Sequence, residues 1–532
     1  MTEKRLLILY CAIFAFAFIV EIKMVSLITD DYAYLAEKQT VHSVDISTGR
    51  ADIADCNLNN ITGTENRFRT FITNETDLQN IYEYIREEDR PRFYRQVQQQ
   101  RQAVVELTAP LQSEQIYTTS KRYSSANIAQ HLIGYTDLAG DGVTGIEKAC
   151  NTSLKNNGEK ITVSFNVNGN GDIYGDITPQ ITGNRQVLSL TIDNALQRLR
   201  EGIAKENIPN GSVIIMECAT GKIKAMASTP VYDANNVVEY LDDDNSPMVN
   251  KALQSYEPGS VIKPLWAAAL LEQGMNKDKI YYCNGYTTVN GHTYHCANNR
   301  AHGPLDLQQA LVVSCNCYFI DRYVKNKGFV FSQMANQLDF GTQLQLCDSY
   351  YTSAGNFPTA EQTENMGVQS SICFGQGNFR LTPVHVASYM NIFATGGLYV
   401  SPQIIEGIYD KTTEKQLEKL YNFNCKRVIG KETADTVKNM LIQVTEKGAS
   451  RNAKPTFLSA GGKTGTAQTG KIKENGEELF TAWYCGFYPA DKPLYTICVT
   501  IYDGGESSYS AAPVFKKICD SIYYLKYADG IQ

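Results

Sequence analysis

Fifteen consecutive residues, Leu6 to Val20, carry neither a charge nor a proline. A helix of that length spans about 23 Å, short of the ~30 Å hydrocarbon core of a bilayer. Glu21 and Lys23 interrupt the run, and Met24 to Ile28 resume it. Through Ile28 the helix reaches roughly 34 Å, enough to cross if Glu21 and Lys23 sit at the outer interface. Lys4 and Arg5 precede the run and predict a cytoplasmic N-terminal end. The competing reading is a cleaved secretory signal. No small-x-small site follows Val20, which favours an uncleaved anchor over residues 1–28. No later run compares, so the rest of the chain is expected outside the membrane.

The 532 residues predict about three domains. Hydrophobic residues at 43% and charged residues at 20% fit a folded chain with large cores. A net charge of −7 argues against a broad nucleic-acid-binding surface. The 33 tyrosines against 2 tryptophans suit an extracytoplasmic or carbohydrate-facing enzyme without proving either. Fourteen cysteines are many for a large exported chain that needs no staples. Cys56, Cys150, Cys218, Cys373 and Cys498 stand alone and read as buried small hydrophobes. An anaerobic host, in which surface thiols stay reduced, would account for the number.

Residues 29–186 are polar and irregular and read as one non-catalytic domain. Asp77 to Val105 reads as a helical stretch broken at Pro91, with Gln96–Gln102 as its solvated face. From Ile161 to Leu190 the pattern is strand-like, interrupted at Gly169–Gly175. Residues 187–532 read as a second domain. Leu188–Ile192 is a strand, and Asp193 caps a helix over Asn194–Lys205. Ser212–Cys218 and Lys222–Ala227 form a hairpin through Thr220-Gly221. Helices follow over Val261–Gln273, Gln308–Lys325 and Thr433–Lys447, then strands over Thr481–Phe487 and Leu494–Tyr502. Strands at both ends of a helical middle predict an α+β domain with a central antiparallel sheet.

Three short motifs carry chemistry. Ser260 and Lys263 lie three residues apart at the start of an apolar helix, hence on one face. A lysine in an apolar pocket loses its proton more easily and can activate a serine within hydrogen-bond reach. Ser314-Cys315-Asn316 offers a hydroxyl to relay a proton and an amide to hold substrate backbone. Lys463-Thr464-Gly465-Thr466 offers an amine and hydroxyls to an anionic carboxylate, with Gly465 leaving room for a ligand backbone. Strict strand alternation puts Lys463 on one face and the two threonines on the other. The glycines before Lys463 do not make a phosphate loop, because that pattern needs glycine where this chain has Phe457. Each motif alone reads more readily as ordinary helix, strand or loop.

Together, in this order, the motifs match the S-x-x-K, S-x-N, K-T-G set of serine β-lactamases and penicillin-binding proteins, with Cys315 where aspartate is usual. The chain resembles a class B penicillin-binding protein over nearly its whole length. The resemblance runs through Gly49-Arg50-Ala51-Asp52-Ile53-Ala54-Asp55, His131-Leu132-Ile133-Gly134-Tyr135 with Gly145-Ile146-Glu147, and Leu190-Thr191-Ile192-Asp193 with Gln197. It continues through Tyr256-Glu257-Pro258-Gly259 before Ser260, and Gly375-Gln376-Gly377 with Leu381-Thr382-Pro383.

That resemblance implies a transpeptidase fold of the penicillin-binding/serine β-lactamase type, preceded by an elongated pedestal domain and a transmembrane helix. It implies a D,D-transpeptidase acting through a Ser260 acyl-enzyme, inhibited by β-lactams and needing no cofactor for catalysis. Lys263 would be the base, Ser314 and Asn316 the relay and positioning groups, and Lys463 and Thr464 the carboxylate binders. The N–H groups of Ser260 and Thr466 would form the oxyanion hole. The implied partners are peptidoglycan stem peptides and a polytopic membrane glycosyltransferase. Rival readings are a D,D-carboxypeptidase, a β-lactamase, a β-lactam sensor and a non-catalytic cell-wall scaffold.

Between the first two motifs lie Cys283, Cys296, His302 and Cys315, with twelve, five and twelve residues between successive members. Three thiolates and an imidazole make a reasonable tetrahedral zinc set. A Cys283–Cys296 disulfide and scattered free thiols are the alternatives, and Cys317 and His295 are possible substitutes. The spacing also resembles a zinc site of elongation-type class B enzymes, from which Cys283 and Cys296 differ. A metal there would be structural, clamping the loop that carries Ser314.

Overall fold

The computed structural model describes residues 2–29, 41–47, 49–72, 78–87, 89–98, 103–111, 116–124, 128–167, 173–325, 329–359, 361–421, 423–473 and 476–528. The first helix, Thr2–Thr29, exposes its apolar side chains, as lipid-facing ones must be. Its stretch Lys4–Ser26 is the single one among the described residues long and apolar enough to cross a membrane. It is a single-pass anchor.

The chain divides into two compact units. One comprises Met1–Ala51, Thr64–Arg122 and Lys155–Arg185; the other comprises Asp52–Gly63, Tyr123–Leu154 and Gln186–Gln532. The stretches 52–63 and 123–154, read from sequence as pedestal, therefore pack within the second unit.

In the first unit, Glu159–Val167 is the middle strand of a three-stranded sheet, between Val41–Asp45 and Ile173–Gly183. Glu65–Ile72 is the middle of another, between Ala103–Leu107 and Ile116–Lys121. Phe71, Tyr117, Val163 and Phe165 share one core. The helix expected over 77–105 is instead two short ones, Leu78–Tyr82 and Arg90–Gln98, followed by a strand. Pro91 lies in the first turn of the second helix, where its missing N–H costs nothing. The β-branched Val104 and Val105 take the pleated conformation. Whether Gln96–Gln102 forms a solvated face lies outside the described residues, as does most of the Gly169–Gly175 interruption.

In the second unit α1, Asn194–Asn207, begins at Asp193, whose carboxylate accepts the Leu196 N–H. The hairpin of β1, Gly211–Glu217, and β2, Ile223–Thr229, opens the main sheet. The sheet is completed by β3, Gly461–Ile472, β4, Glu478–Tyr488, and β5, Tyr495–Tyr502. The order is β2-β1-β5-β4-β3, antiparallel throughout, with β3 at an edge. On one face Tyr484, Ile497 and Val499 pack with Phe515 and Ile518 of the terminal helix Ala511–Tyr523. The helix Pro383–Ala394 packs against β4 and β5. The fold is the expected α+β arrangement around an antiparallel sheet.

Within this unit α2, Lys263–Glu272, is apolar on all sides and buried from Lys263 to Leu270, as an all-round apolar helix must be. Pro264 occupies its first turn. The single helix expected over Gln308–Lys325 is two: α3, Leu307–Val312, and α4, Asn316–Lys325. The break is at Ser314, whose φ of 55° is left-handed. Cys218, Cys373 and Cys498 are buried as expected, whereas Cys56 and Cys150 are partly exposed.

Candidate active site

Ser260 stands half-buried in the 3-10 turn Gly259–Ile262 that leads into α2. Gly259 and Gly465 let this turn lie against the edge strand, and Gly375 lets its own segment lie against the turn. A Cβ on Gly259 (φ 57°) would come 2.9 Å from the Thr466 carbonyl oxygen. One on Gly375 would come 2.2 Å from the Gly259 oxygen, and one on Gly465 2.7 Å from the Pro258 oxygen and 2.8 Å from the Val261 nitrogen. Gly465 therefore makes room for the Ser260 turn. The turn is clamped further. Trp483 Nε1 donates to the Glu257 carbonyl at 3.0 Å, and Tyr389 donates its hydroxyl to the Val261 carbonyl.

Lys263 is wholly buried, and its amine turns toward the second motif. Nζ donates to the Ser314 carbonyl at 2.7 Å, to Ser314 Oγ at 3.2 Å and to Asn316 Oδ1 at 2.7 Å. Among the described residues no hydrogen bond joins it to Ser260, although the two are one turn apart. Burial pushes the amine down from 10.5 to about 8, against the opposing pull of Cys315 and neighbouring thiols.

The left-handed Ser314 turns both its carbonyl and its hydroxyl toward Lys263, which a continuous helix would not do. Asn316 opens α4, and its Nδ2 donates to the His295 carbonyl at 3.0 Å. That bond leaves Oδ1 for Lys263.

Lys463 reaches the same hydroxyl from β3, at 3.0 Å from Ser314 Oγ, and also donates to the Thr464 carbonyl at 3.0 Å. Burial, then the charge of Lys263, holds this amine well below its ordinary range. Thr464 is buried, with its hydroxyl 3.1 Å from Ser450 Oγ. Thr466 is exposed, with its hydroxyl 2.9 Å from Ser507 Oγ. Ser260, Lys263, Ser314, Asn316, Lys463 and the two threonines thus belong to one neighbourhood. Ser450 and Ser507, which touch these groups, lack a sequence signal, and His295, read only as a substitute metal ligand, acts here through its backbone carbonyl.

Beside this group the ligand atoms of Cys283, Cys296, His302 and Cys315 all lie within 4.8 Å of one another. Cys283 and Cys296 sulfurs are 3.8 Å apart, Cys296 and Cys315 3.7 Å, and Cys283 Sγ and His302 Nδ1 3.5 Å. Sulfurs at about 2.3 Å from a tetrahedral ion stand roughly 3.8 Å apart, far beyond the ~2.05 Å of a disulfide. The N–H groups of Gly285 and Tyr318 donate to Cys283 and Cys315, each at 3.4 Å. Contacts with the Cys315 and Cys317 thiols pull the Cys296 thiol far down. Buried soft donors with backbone N–H groups on their sulfurs can hold a metal ion. Cys317, 3.4 Å from Cys296, stands outside the four.

Residues 211–520 match the family described as penicillin binding protein transpeptidase domain. The chain belongs to that family. It is 29% identical over 399 residues to stage V sporulation protein D of Bacillus subtilis, covering 72% of this chain and 59% of that protein. It is 28% identical over 388 residues to the peptidoglycan D,D-transpeptidase MrdA of Haemophilus influenzae, covering 65% and 57%. The chain therefore spans less than two thirds of the length of these two relatives. A solved chain from a peptidoglycan synthase complex superposes with a TM-score of 0.72 at 22% identity, covering 98% of both chains. The penicillin-binding protein in a complex with MreC from Helicobacter pylori superposes with a TM-score of 0.67 at 19% identity, covering 92% and 99%. These two likenesses show the fold.

Proposed function

We propose that the chain is a peptidoglycan D,D-transpeptidase with residues 187–532 as its catalytic domain and 29–186 as a non-catalytic pedestal. The observation that carries this reading is the convergence of Lys263 and Lys463 on the Ser314 hydroxyl beside the Ser260 turn.

Lys263, neutral in a fraction of molecules near neutral pH, takes the proton from Ser260 as its oxygen attacks the penultimate D-alanine carbonyl of a stem peptide. To do so the amine swings from Ser314 toward Ser260, one turn away on the same segment. The N–H groups of Ser260 and Thr466 receive the developing oxyanion, each such donor being worth about 3–4 kcal/mol. Ser314, shared by both amines, passes a proton to the departing D-alanine, and Asn316 holds substrate backbone. Lys463 and the threonines bind the terminal carboxylate; Thr466 offers the exposed hydroxyl and Thr464 stands behind it. An amine from a neighbouring stem then takes the acyl group, and Ser260 regains its proton. A β-lactam follows the first half of this sequence and stops at the acyl-enzyme.

Cys283, Cys296, His302 and Cys315 fit a structural zinc ion, which would neutralise the buried thiolates and fix the segments before Asn316 and after Ser314. The chemistry stays with the serine and the lysines. The occurrence of one chain of similar fold in a peptidoglycan synthase complex supports a polytopic membrane glycosyltransferase as partner, through the anchor and the first unit. Incubation with a defined pentapeptide donor and an amine acceptor tests the reading. Cross-linked dimer with release of D-alanine is expected. Release without dimer would make water the acceptor and the enzyme a carboxypeptidase, and no release would leave a scaffold.

A further inference from the structure

The fourteen cysteines differ in their surroundings. Burial pushes the thiols of Cys218, Cys373, Cys485 and Cys519 up and makes them inert. Cys283, Cys296, Cys315 and Cys317 belong to the cluster beside Asn316. Cys150 and Cys347 are different: both are partly exposed, and both line one cavity of about 680 Å³. Among the described residues theirs is the one thiol–thiol contact in which both residues are partly exposed.

Cys150 sits at the joint between the short helices Gly145–Ala149 and Asn151–Asn156. Cys347 ends the strand Gln345–Cys347, whose hairpin returns as Tyr350–Tyr351. The thiol of Cys150 donates to the Cys347 sulfur, and the N–H groups of Ser349 and Tyr350 in the hairpin turn do the same. These donors, Cys150 first, outweigh burial and the nearby Asp348 and hold the Cys347 thiol below its ordinary range. One thiol thus gives up its proton more readily, the second already touches it, and both line the cavity.

We propose that Cys150 and Cys347 form a thiol–disulfide exchange site, with Cys347 the attacking thiolate, Cys150 the resolving thiol and an external disulfide the oxidant. The Cys347 sulfur attacks one sulfur of the oxidant; that S–S bond breaks and one thiolate leaves. Cys150 gives up its proton and attacks Cys347; the mixed disulfide breaks and the second thiolate leaves. Two cysteine thiols are oxidised to one disulfide, the oxidant is reduced to two thiols, and the protons released pass to those thiolates. The product staples the helix pair 145–156 to the hairpin 345–351, two pieces of chain far apart in sequence. Closing so long a loop stabilises the folded state.

The test uses the full reduced chain in detergent and oxidised glutathione as the probe. Free thiols are then blocked and the peptides mapped without reduction. The expected result is a Cys150–Cys347 cross-linked peptide and a higher thermal midpoint than the reduced protein. Cys150→Ser should instead accumulate glutathione on Cys347. Limiting iodoacetamide on the untreated wild type should alkylate Cys347 several-fold faster than Cys150, which needs no variant to fold. A wild type whose two thiols stay free after oxidised glutathione would overturn the proposal. So would glutathione retained on wild-type Cys347 without closure, or equal alkylation of the two thiols.

Discussion

Lys463 Nζ stands 3.0 Å from Ser314 Oγ, joining the edge strand of the sheet to the break between two helices. Lys263 reaches the same oxygen at 3.2 Å. Burial lowers the affinity of both amines for protons, and at Lys463 the charge of Lys263 adds to it.

Acylation by a β-lactam should therefore depend on pH. The neutral fraction of Lys263 grows as pH rises through about 8. The second-order rate should climb between roughly pH 7 and 9 and then level. Lys263→Arg, which stays charged, should lose about 10²–10⁴-fold and show no such rise. Stability has the same sign. The unfolded lysine binds its proton up to about 10.5 while the folded one gives it up near 8, so this group's contribution improves as pH rises from 8 toward 10.5. Stopped-flow acylation and denaturant titrations over that range check both.

In the proposed mechanism Ser314 supplies its hydroxyl for chemistry, and its left-handed backbone shapes the turn. Ser314→Ala and Ser314→Gly should lose acylation alike, by about 10²-fold or more. The glycine variant should be the more stable by roughly 1 kcal/mol, because it adopts a φ of 55° without strain. Equal stability would show that the left-handed turn is not strained.

Gly465→Ala should act on rate before stability. The added methyl would meet Pro258 and Val261 backbone at 2.7 and 2.8 Å and push the Ser260 turn away from β3. A displacement of about 1 Å can cost about 10²-fold in rate. Titration with a fluorescent penicillin, beside a melting curve, separates the two effects.

Metal analysis of purified protein should find about one zinc per chain. Cys296→Ser or prolonged chelation should remove it, lower the melting midpoint and slow acylation, since His295, which holds the Asn316 amide, is next to Cys296. Cys317→Ser should keep the metal.

The sequence made the order of strands and helices in the second unit legible because apolar runs there are long and bounded by clear caps, as at Asp193 and Gly448. The three motifs were legible for another reason: their residue types are rare in that order. The break at Ser314 was not, because Gln308 to Lys325 keeps its helical spacing across it, and the one left-handed residue there faces Lys263, which lies far off in sequence. The room that Gly465 makes for the Ser260 turn was not legible, since sequence does not say what faces a glycine. In the first unit Val104 and Val105 were absorbed into a helical pattern that a sheet overrides. The cavity that Cys150 lines includes a hairpin nearly two hundred residues away, beyond the reach of local pattern.

The central claim is that Ser260 is the nucleophile. Intact-mass and peptide mass spectrometry of the full chain after incubation with benzylpenicillin tests it directly. A single added penicilloyl group on the peptide carrying Ser260, absent in Ser260→Ala with an unchanged melting curve, is the result expected. An adduct that persists in Ser260→Ala, or one mapped to another residue, would contradict it.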